Sequence, residues 1–121
     1  MSERAVINLA TGVAENPDRA IVAFLMAGAA QVAGKQVVVF LSSDAVRLGL
    51  PGGADGVEIE GVSPLNDLMA QFADGGGTLY VCPPCFSARG LDKDGIHANA
   101  EMKGGAALWE FMADGATTLS Y

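Results

Sequence analysis

Charged residues, and basic residues above all, are scarce in this sequence. Only 17% of the 121 residues are charged, and seven Lys and Arg stand against fourteen Asp and Glu, which gives a net charge of −7. Nucleic acids and anionic membrane surfaces bind proteins through basic stripes or patches, so we expect neither as a partner. Half of the residues are hydrophobic, which excludes a disordered chain and leaves apolar surface for a subunit partner. The length predicts one domain over residues 1–121.

Long hydrophobic runs are also missing. A membrane helix needs roughly 18 consecutive apolar residues, and the longest candidate, residues 20–33, is interrupted by Gly28 and Gln31. Residues 1–8 lack the basic flank and the long apolar region of a signal peptide. We therefore expect a cytoplasmic protein that does not enter a membrane.

Potential metal and cofactor ligands are few. Cys82 and Cys85 are the only cysteines and His97 is the only histidine, whereas a structural zinc site takes four such ligands. A metal clip shared between subunits stays open, but we expect no metal within one chain. Gly34-Lys35 lacks the glycine that a phosphate loop has five positions earlier, and no G-x-G-x-x-G follows a strand. We therefore expect no cofactor.

Apolar strand segments alternate with helical segments along the chain. Helices are predicted to begin at Asn16-Pro17 and Ser63-Pro64, with a helical turn after Ser42-Ser43-Asp44. In the first helix, three- and four-residue spacing predicts an apolar face of Ile21, Phe24, Leu25, Gly28 and Val32. Residues 57–62 are predicted as a short edge strand, and residues 105–112 as a helix around Leu108, Trp109 and Phe111. The other predicted strands are residues 4–10, 35–41, 78–81 and 117–121. This alternation predicts a three-layer α/β/α fold with a mostly parallel sheet of about five strands.

Three polar or reactive loops directly follow predicted strands. They are Thr11-Gly12, Ser42-Ser43-Asp44 and Cys82-Pro-Pro-Cys85. Binding sites in parallel sheets gather at the carboxyl ends of the strands, so we expect all three loops at one edge. Asp44 is expected there to cap a helix or to orient a ligand.

The cysteine pair is the centre of the predicted chemistry. Cys82 ends a strand and Cys85 falls near a helix start, where backbone amides together with Arg89 and Lys93 favour a thiolate. A thiolate attacks sulfur or binds metal. The alternative is two small hydrophobic side chains in a tight turn, although the two prolines hold the sulfurs in a defined relation. A thioredoxin fold is disfavoured, because only 36 residues follow Cys85.

Three stretches carry a resemblance to a known family. They are residues 11–20 before an alanine-rich helix, residues 33–44, and residues 81–90, in which Arg89-Gly90 follows Cys82 by seven and eight positions. In order and spacing they resemble the DsrE/DsrF-like family of sulfur-handling proteins, which includes the TusD-type sulfur carriers. The resemblance covers nearly the whole chain.

The resemblance implies a flavodoxin-like fold and a homo-oligomer, either a trimer or a trimer-based hexamer. It also implies that Cys82 carries sulfur as a persulfide, with Arg89 and Gly90 as the matching pair. Two residues depart from the family pattern. Cys85 is a second thiol, able to attack a Cys82 persulfide and release sulfide, and Ala45 stands where many relatives have glycine.

Our leading hypothesis is a sulfur relay. Cys82 accepts sulfane sulfur from a donor protein or a small polysulfide and passes it to an acceptor, Arg89 stabilises the thiolate, and Cys85 resolves or gates the transfer. The predicted binding residues beside them are Thr11, Gly12, Ser43, Asp44 and Gly90. Two alternatives stay open: a dithiol oxidoreductase that cycles Cys82 and Cys85, and a non-catalytic oligomeric module that binds a small ligand.

Overall fold

One five-stranded sheet organises the fold. The structure, a computed structural model, describes residues 3–121. Every neighbouring pair of strands is parallel, and the order across the sheet is β4-β3-β2-β1-β5. The strands are β1 Arg4–Leu9, β2 Gln36–Leu41, β3 Thr78–Val81, β4 Ala100–Glu101 and β5 Thr117–Ser120. The predicted three-layer α/β/α, flavodoxin-like fold with about five strands is confirmed.

The helices begin where local sequence rules place them. In α1 the Asn16 side chain accepts a hydrogen bond from the Asp18 N–H, which would otherwise have no partner within the helix. Pro17, the first helical residue, has no N–H that needs a partner. A 3-10 helix, Ser43–Gly49, follows β2 directly. The α-helices are α1 Pro17–Val32, α2 Leu65–Asp74, α3 Pro83–Ala88 and α4 Gly105–Phe111.

The two faces of the sheet bury very different amounts of apolar surface. On one face α1, α2, α3 and the 3-10 helix cover the alternate strand residues, and Phe24 and Phe72 meet edge to face at 5.6 Å. We call this the large core. On the other face α4 alone contributes a buried side chain, Phe111, which packs edge to face on Tyr80 at 6.3 Å. We call this the small core; its buried residues are Val6, Val38, Tyr80 and Phe111.

Three predictions from apolar patterning are wrong. Residues 57–62 form turns rather than an edge strand, with Gly61 in the left-handed region at φ +83°, and the edge position belongs instead to β4. Leu25 and Val32 do not pack in the core and are 40% and 91% exposed, because alanines supply much of the buried face of α1. Trp109 is 74% exposed, so Phe111 is the one buried side chain of α4, with Ala107 and Leu108 partly buried beside it. No helix within residues 3–121 has both the length and the hydropathy that a membrane span requires.

Candidate functional site

The strand register brings the three predicted loops together at the carboxyl edge of the sheet. Leu9 pairs with Leu41, and Leu41 pairs with Val81. The residues that follow these three strand ends therefore leave the sheet side by side. The Cys82 N–H extends the ladder by donating to the Leu41 carbonyl at 3.0 Å. This edge, with Gly12, the 3-10 helix and α3, is the candidate site.

The two cysteines lie at the joint between β3 and α3. Both are free thiols and both are half-buried against the large core. Cys82 immediately precedes α3, and its carbonyl accepts the Phe86 N–H at 3.0 Å. Because Pro83 and Pro84 begin the helix without N–H groups to satisfy, the chain turns from strand to helix within a single residue. Cys85 thereby comes one helical turn after Cys82, near enough for each thiol to influence the pKa of the other.

The pKa values of the two thiols are shifted in opposite directions. The pKa of Cys85 lies below its ordinary value, first because the Cys82 thiol donates a hydrogen bond to its sulfur, and also because of the Ser43 N–H and the positive charge of Arg89, against some desolvation. The pKa of Cys82 lies above its ordinary value, first because burial disfavours its charged form and then because it donates to Cys85. The pair therefore favours one thiolate, and favours it on Cys85.

Asp44 links the loop after β2 to α3. Its carboxylate accepts hydrogen bonds from Nε of Arg47 at 2.8 Å and from Nε of Arg89 at 3.0 Å, and both guanidinium groups hold the Asp44 pKa below its ordinary value. Arg89 also donates from Nη1 to the Cys85 carbonyl at 3.0 Å. Helix capping was one of the two roles expected for Asp44, and the structure shows no such cap within residues 3–121. Asp44 instead holds Arg89 in position beside Cys85.

Gly12 and Ser43 contribute to the site through their backbones rather than their side chains. A Cβ at Gly12 would lie 2.6 Å from Oδ2 of Asp44, so only glycine lets the loop after β1 pass this close to the carboxylate. Ser43 has φ 50°, in the left-handed region that few residues other than glycine occupy, and its backbone N–H is one of the groups that lower the pKa of Cys85. Thr11 is half-buried in the same loop and makes no hydrogen bond to these groups among the described residues.

Gly90 and Lys93 stand outside this arrangement. Gly90, at φ +63°, ends α3 by donating to the Ser87 carbonyl at 3.0 Å, a typical left-handed helix stop, and has open space around it. Lys93 is exposed in the 3-10 turn Lys93–Gly95 and is not among the charges that act on either thiol. The Arg-Gly spacing thus has two roles: the arginine faces the thiols, and the glycine ends the helix behind it.

Arg47 is the site residue that sequence reasoning missed. Asp44 and Arg47 are three residues apart in a helical turn, a spacing at which opposite charges pair, so this ion pair could have been predicted from the sequence.

His97 lies apart from the thiols, half-buried beside a cavity of about 150 Å³ that Asn66, Met69 and Asn99 also line. Within residues 3–121 no three His, Cys, Asp or Glu side chains are grouped as metal ligands.

Comparison with known proteins gives the chain a family. The sequence model of the DsrE/DsrF-like family matches residues 4–121, almost the entire chain. The chain belongs to the DsrE/DsrF-like family. The resemblance in the strand-end motifs is thereby confirmed.

The chain is also similar to two individual proteins. The uncharacterized protein MJ0760 of Methanocaldococcus jannaschii is 26% identical over 98 residues, which are 81% of this chain and 36% of that protein. The chain thus spans about a third of the length of this curated relative. The crystal structure of the ychN protein from E. coli superposes with a TM-score of 0.74 over 98% of this chain and 99% of that one, at 17% identity. That likeness shows a shared fold.

Proposed function

We propose that the protein carries sulfane sulfur as a persulfide on its Cys82–Cys85 pair and passes it between a donor and an acceptor. The donor is a protein persulfide or a small polysulfide, and the acceptor is a thiol of a partner protein. The observation that carries the proposal is the pair of free, half-buried thiols at the end of β3, with Arg89 hydrogen-bonded to the Cys85 carbonyl, in a chain of the DsrE/DsrF-like family.

The arrangement suits sulfur transfer chemically. A thiolate is the form that attacks sulfur, and the Ser43 N–H and the Arg89 charge both favour it. Burial of Cys82 and Cys85 against the large core limits access of water to a bound persulfide. Family resemblance assigns the sulfur to Cys82. Cys85 departs from the family pattern, and its proposed role is to resolve or gate the transfer; variants can test both assignments.

The test is intact-protein mass spectrometry before and after incubation with inorganic polysulfide. The samples are the wild type, Cys82→Ser, Cys85→Ser and the double serine variant, each of which is also treated with a thiol reductant afterwards. We expect the wild type to gain one or more sulfur atoms that the reductant removes, and the double variant to gain none. A wild type that gains no sulfur, or a double variant that gains as much, contradicts the proposal.

A second candidate is a dithiol oxidoreductase, favoured by two free thiols three residues apart at the joint between β3 and α3. This Cys-X-X-Cys spacing is the one that thiol–disulfide oxidoreductases use. Titration of the wild type against glutathione buffers, followed by alkylation of the remaining thiols, distinguishes the two. An oxidoreductase has a midpoint near the potential of its compartment, whereas a relay pair stays reduced throughout.

The proposal includes a homo-oligomer, a trimer or a trimer-based hexamer. Its support is an apolar groove of about 240 Å³ between α1 and the exposed strand β5, lined by Ile7, Met26 and Leu119 among others. Apolar surface of this kind typically marks a protein contact. Light scattering should show the wild type as an oligomer and Leu119→Asp as a smaller species, whereas Trp109→Asp, on the other face, keeps the wild-type mass. An unchanged mass for Leu119→Asp excludes this groove as the contact.

A further inference from the structure

Two arginine side chains meet at one carboxylate oxygen beside the cysteine pair. We infer that Arg47 and Arg89, held by Asp44, form a binding site for an oxyanion group. The small-molecule sulfur donor would accordingly be an anion that carries a sulfonate or a carboxylate close to its sulfane sulfur. The inference rests on the proposed function for the transfer of sulfur, and on the geometry of the two arginines for the binding of the anion.

The two guanidinium groups are held close together. Nε of Arg47 lies 2.8 Å and Nε of Arg89 lies 3.0 Å from the same atom, Oδ1 of Asp44, so the two Nε atoms are no farther apart than the sum of these distances. Arg89 is fixed at a second point, because its Nη1 donates to the Cys85 carbonyl at 3.0 Å. The arginine pair therefore joins the 3-10 helix after β2 to the end of α3, beside the cysteine loop.

Both arginines keep donors for a further acceptor. Within residues 3–121, Nη1 and Nη2 of Arg47 and Nη2 of Arg89 have no hydrogen-bond partner. The side chains are 48% and 28% exposed, so a solute can reach these nitrogens. A guanidinium presents its N–H groups in one plane and matches the oxygens of an oxyanion with two parallel hydrogen bonds. Two such groups side by side suit an anion with two or three oxygens.

The local charge also favours an anion. Both arginines hold the Asp44 pKa below its ordinary value, so the carboxylate is ionised at neutral pH. Two guanidinium groups against one carboxylate still leave one net positive charge, in a chain whose net charge is −7. Positive potential at one place on an otherwise acidic protein draws anions to that place. An anionic donor is thereby brought to the cysteine loop.

Asp44 keeps the arginine pair in place before any anion binds. Its Oδ1 accepts from both arginines, and the loop after β1 packs against its other oxygen, where a Cβ at Gly12 would lie 2.6 Å from Oδ2. A carboxylate that only balanced one arginine would more readily use both oxygens on a single guanidinium. Because the donors are already oriented, binding of an anion costs little side-chain ordering.

The transfer balances without an added oxidant. A cysteine thiolate attacks the sulfane sulfur of thiosulfate, the new S–S bond forms on the cysteine, and the S–S bond of thiosulfate breaks with its electron pair on the departing sulfite. With a carboxylate-bearing persulfide R–S–SH, the same attack on the outer sulfur releases R–S⁻. In both reactions the oxyanion belongs to the leaving group. Arg47 and Arg89 thus hold the part of the donor that departs and stabilise its negative charge.

Anion binding is measured first on protein that cannot accept sulfur. The double variant Cys82→Ser, Cys85→Ser is titrated by calorimetry with thiosulfate and with acetate at constant ionic strength. We expect saturable binding of at least one of the two, weakened about tenfold when Arg47→Gln is added, because hydrogen bonds to a charged group are lost. Lys93→Gln on the same background removes an equal charge from an exposed position outside the site and should leave the affinity unchanged. Non-saturable binding, or equal losses in both variants, overturns the inference.

Sulfur transfer is then followed in protein with both cysteines. Wild type, Arg47→Gln and Lys93→Gln are incubated with thiosulfate, with cysteine persulfide or with the persulfide of 2-mercaptoethanol, which has no oxyanion, and the initial gain of sulfur is read by intact-protein mass spectrometry. Arg47→Gln should load about tenfold more slowly than the wild type from an oxyanion donor and at the wild-type rate from 2-mercaptoethanol persulfide. Slower loading from thiosulfate alone assigns a sulfonate, and slower loading from cysteine persulfide alone assigns a carboxylate.

The outcomes separate this inference from the proposed function. Equal loading of the wild type and Arg47→Gln from every donor supports the relay and overturns the inference. Anion binding that depends on Arg47, with no sulfur gained from any donor, upholds the anion site and overturns the relay. Slower loading of Arg47→Gln from oxyanion donors, with Lys93→Gln unchanged, supports both.

Discussion

The large core and the small core divide the work of the molecule between the two faces of its sheet. The large core draws on four helical segments, and both cysteines pack against it. The small core has four buried residues, with α4 and the part-exposed Phe40 above the sheet. The thiols are therefore anchored on the better-packed face. We expect the geometry of the site to survive substitutions that weaken packing on the other face. Each variant below tests one side of that contrast.

The largest expected effect is in the large core. Phe72→Ala removes a side chain that is 1% exposed and stacks on Phe24, and its loss should lower the free energy of unfolding by about 3–5 kcal/mol. Urea denaturation followed by circular dichroism measures the change. Trp109→Ala, at an exposed position, is the control and should change the free energy by less than about 0.5 kcal/mol. Similar losses in both variants would mean that α2 packs differently from the arrangement described here.

The small core should tolerate truncation better. Phe111→Ala removes the stack on Tyr80 and the ring beneath the Arg4 guanidinium, and because Phe111 is 9% exposed its cost should fall near 3 kcal/mol, at the low end of the range for buried aromatics. The same urea titration gives the value. Alkylation of Cys85 should proceed at the wild-type rate in this variant. A slower rate would show that the two faces of the sheet are coupled.

The third prediction concerns the close approach at the carboxyl edge. Gly12→Ala places a methyl group against the Asp44 carboxylate, and moving that group should cost about 1–3 kcal/mol. Gly28→Ala is a matched control in α1 with open space around its Cβ, and should instead gain about 0.5–1 kcal/mol from helix propensity. Thermal melts of both variants beside the wild type suffice. Stabilisation by both substitutions would mean that the loop after β1 does not contact Asp44.

The smallest effect should come from the ion pairs of Asp44. A carboxyl whose pKa is lower in the folded than in the unfolded state adds stability above the unfolded pKa and loses it as pH falls through the folded pKa. Asp44→Asn should therefore be less stable than the wild type at pH 7 by on the order of 1 kcal/mol, since both arginine partners are part-exposed. Paired urea titrations from pH 7 downward should show the difference shrinking as Asp44 becomes protonated. A constant difference would assign the loss to something other than charge.

The sequence predicted most of the fold because its strongest patterns are local. Buried strands in a parallel sheet are continuous apolar runs, and Asn16-Pro17 marks the start of α1 without reference to the rest of the chain. β4 has two residues and no pattern of its own, so only its partner β3 defines it. The prediction that Leu25 and Val32 lie on the buried face of α1 was wrong because residue spacing does not show that alanines fill much of that face.

The candidate site was predictable in its members but not in its contacts. Strand ends placed Gly12, Asp44 and Cys82 at one edge, as parallel topology requires. Which thiol gains the donors depends on the φ of Ser43 and on the direction of the Arg89 side chain, and neither follows from residue type. Gly90 shows that a residue can match a family motif and still have only a backbone role, here the left-handed conformation that ends α3.

The pairing of β5 with β1 joins strands from opposite ends of the chain. Asn8 and Ser120 lie in neighbouring strands although 112 residues separate them along the chain, so this contact closes nearly the longest loop the fold contains. Loop closure of that length is entropically unfavourable until the strands between are in place. All four residues of β5 are exposed and it has one neighbour, so its amides should exchange with solvent sooner than those of β2. The strand that completes the sheet is thus also the first to leave it.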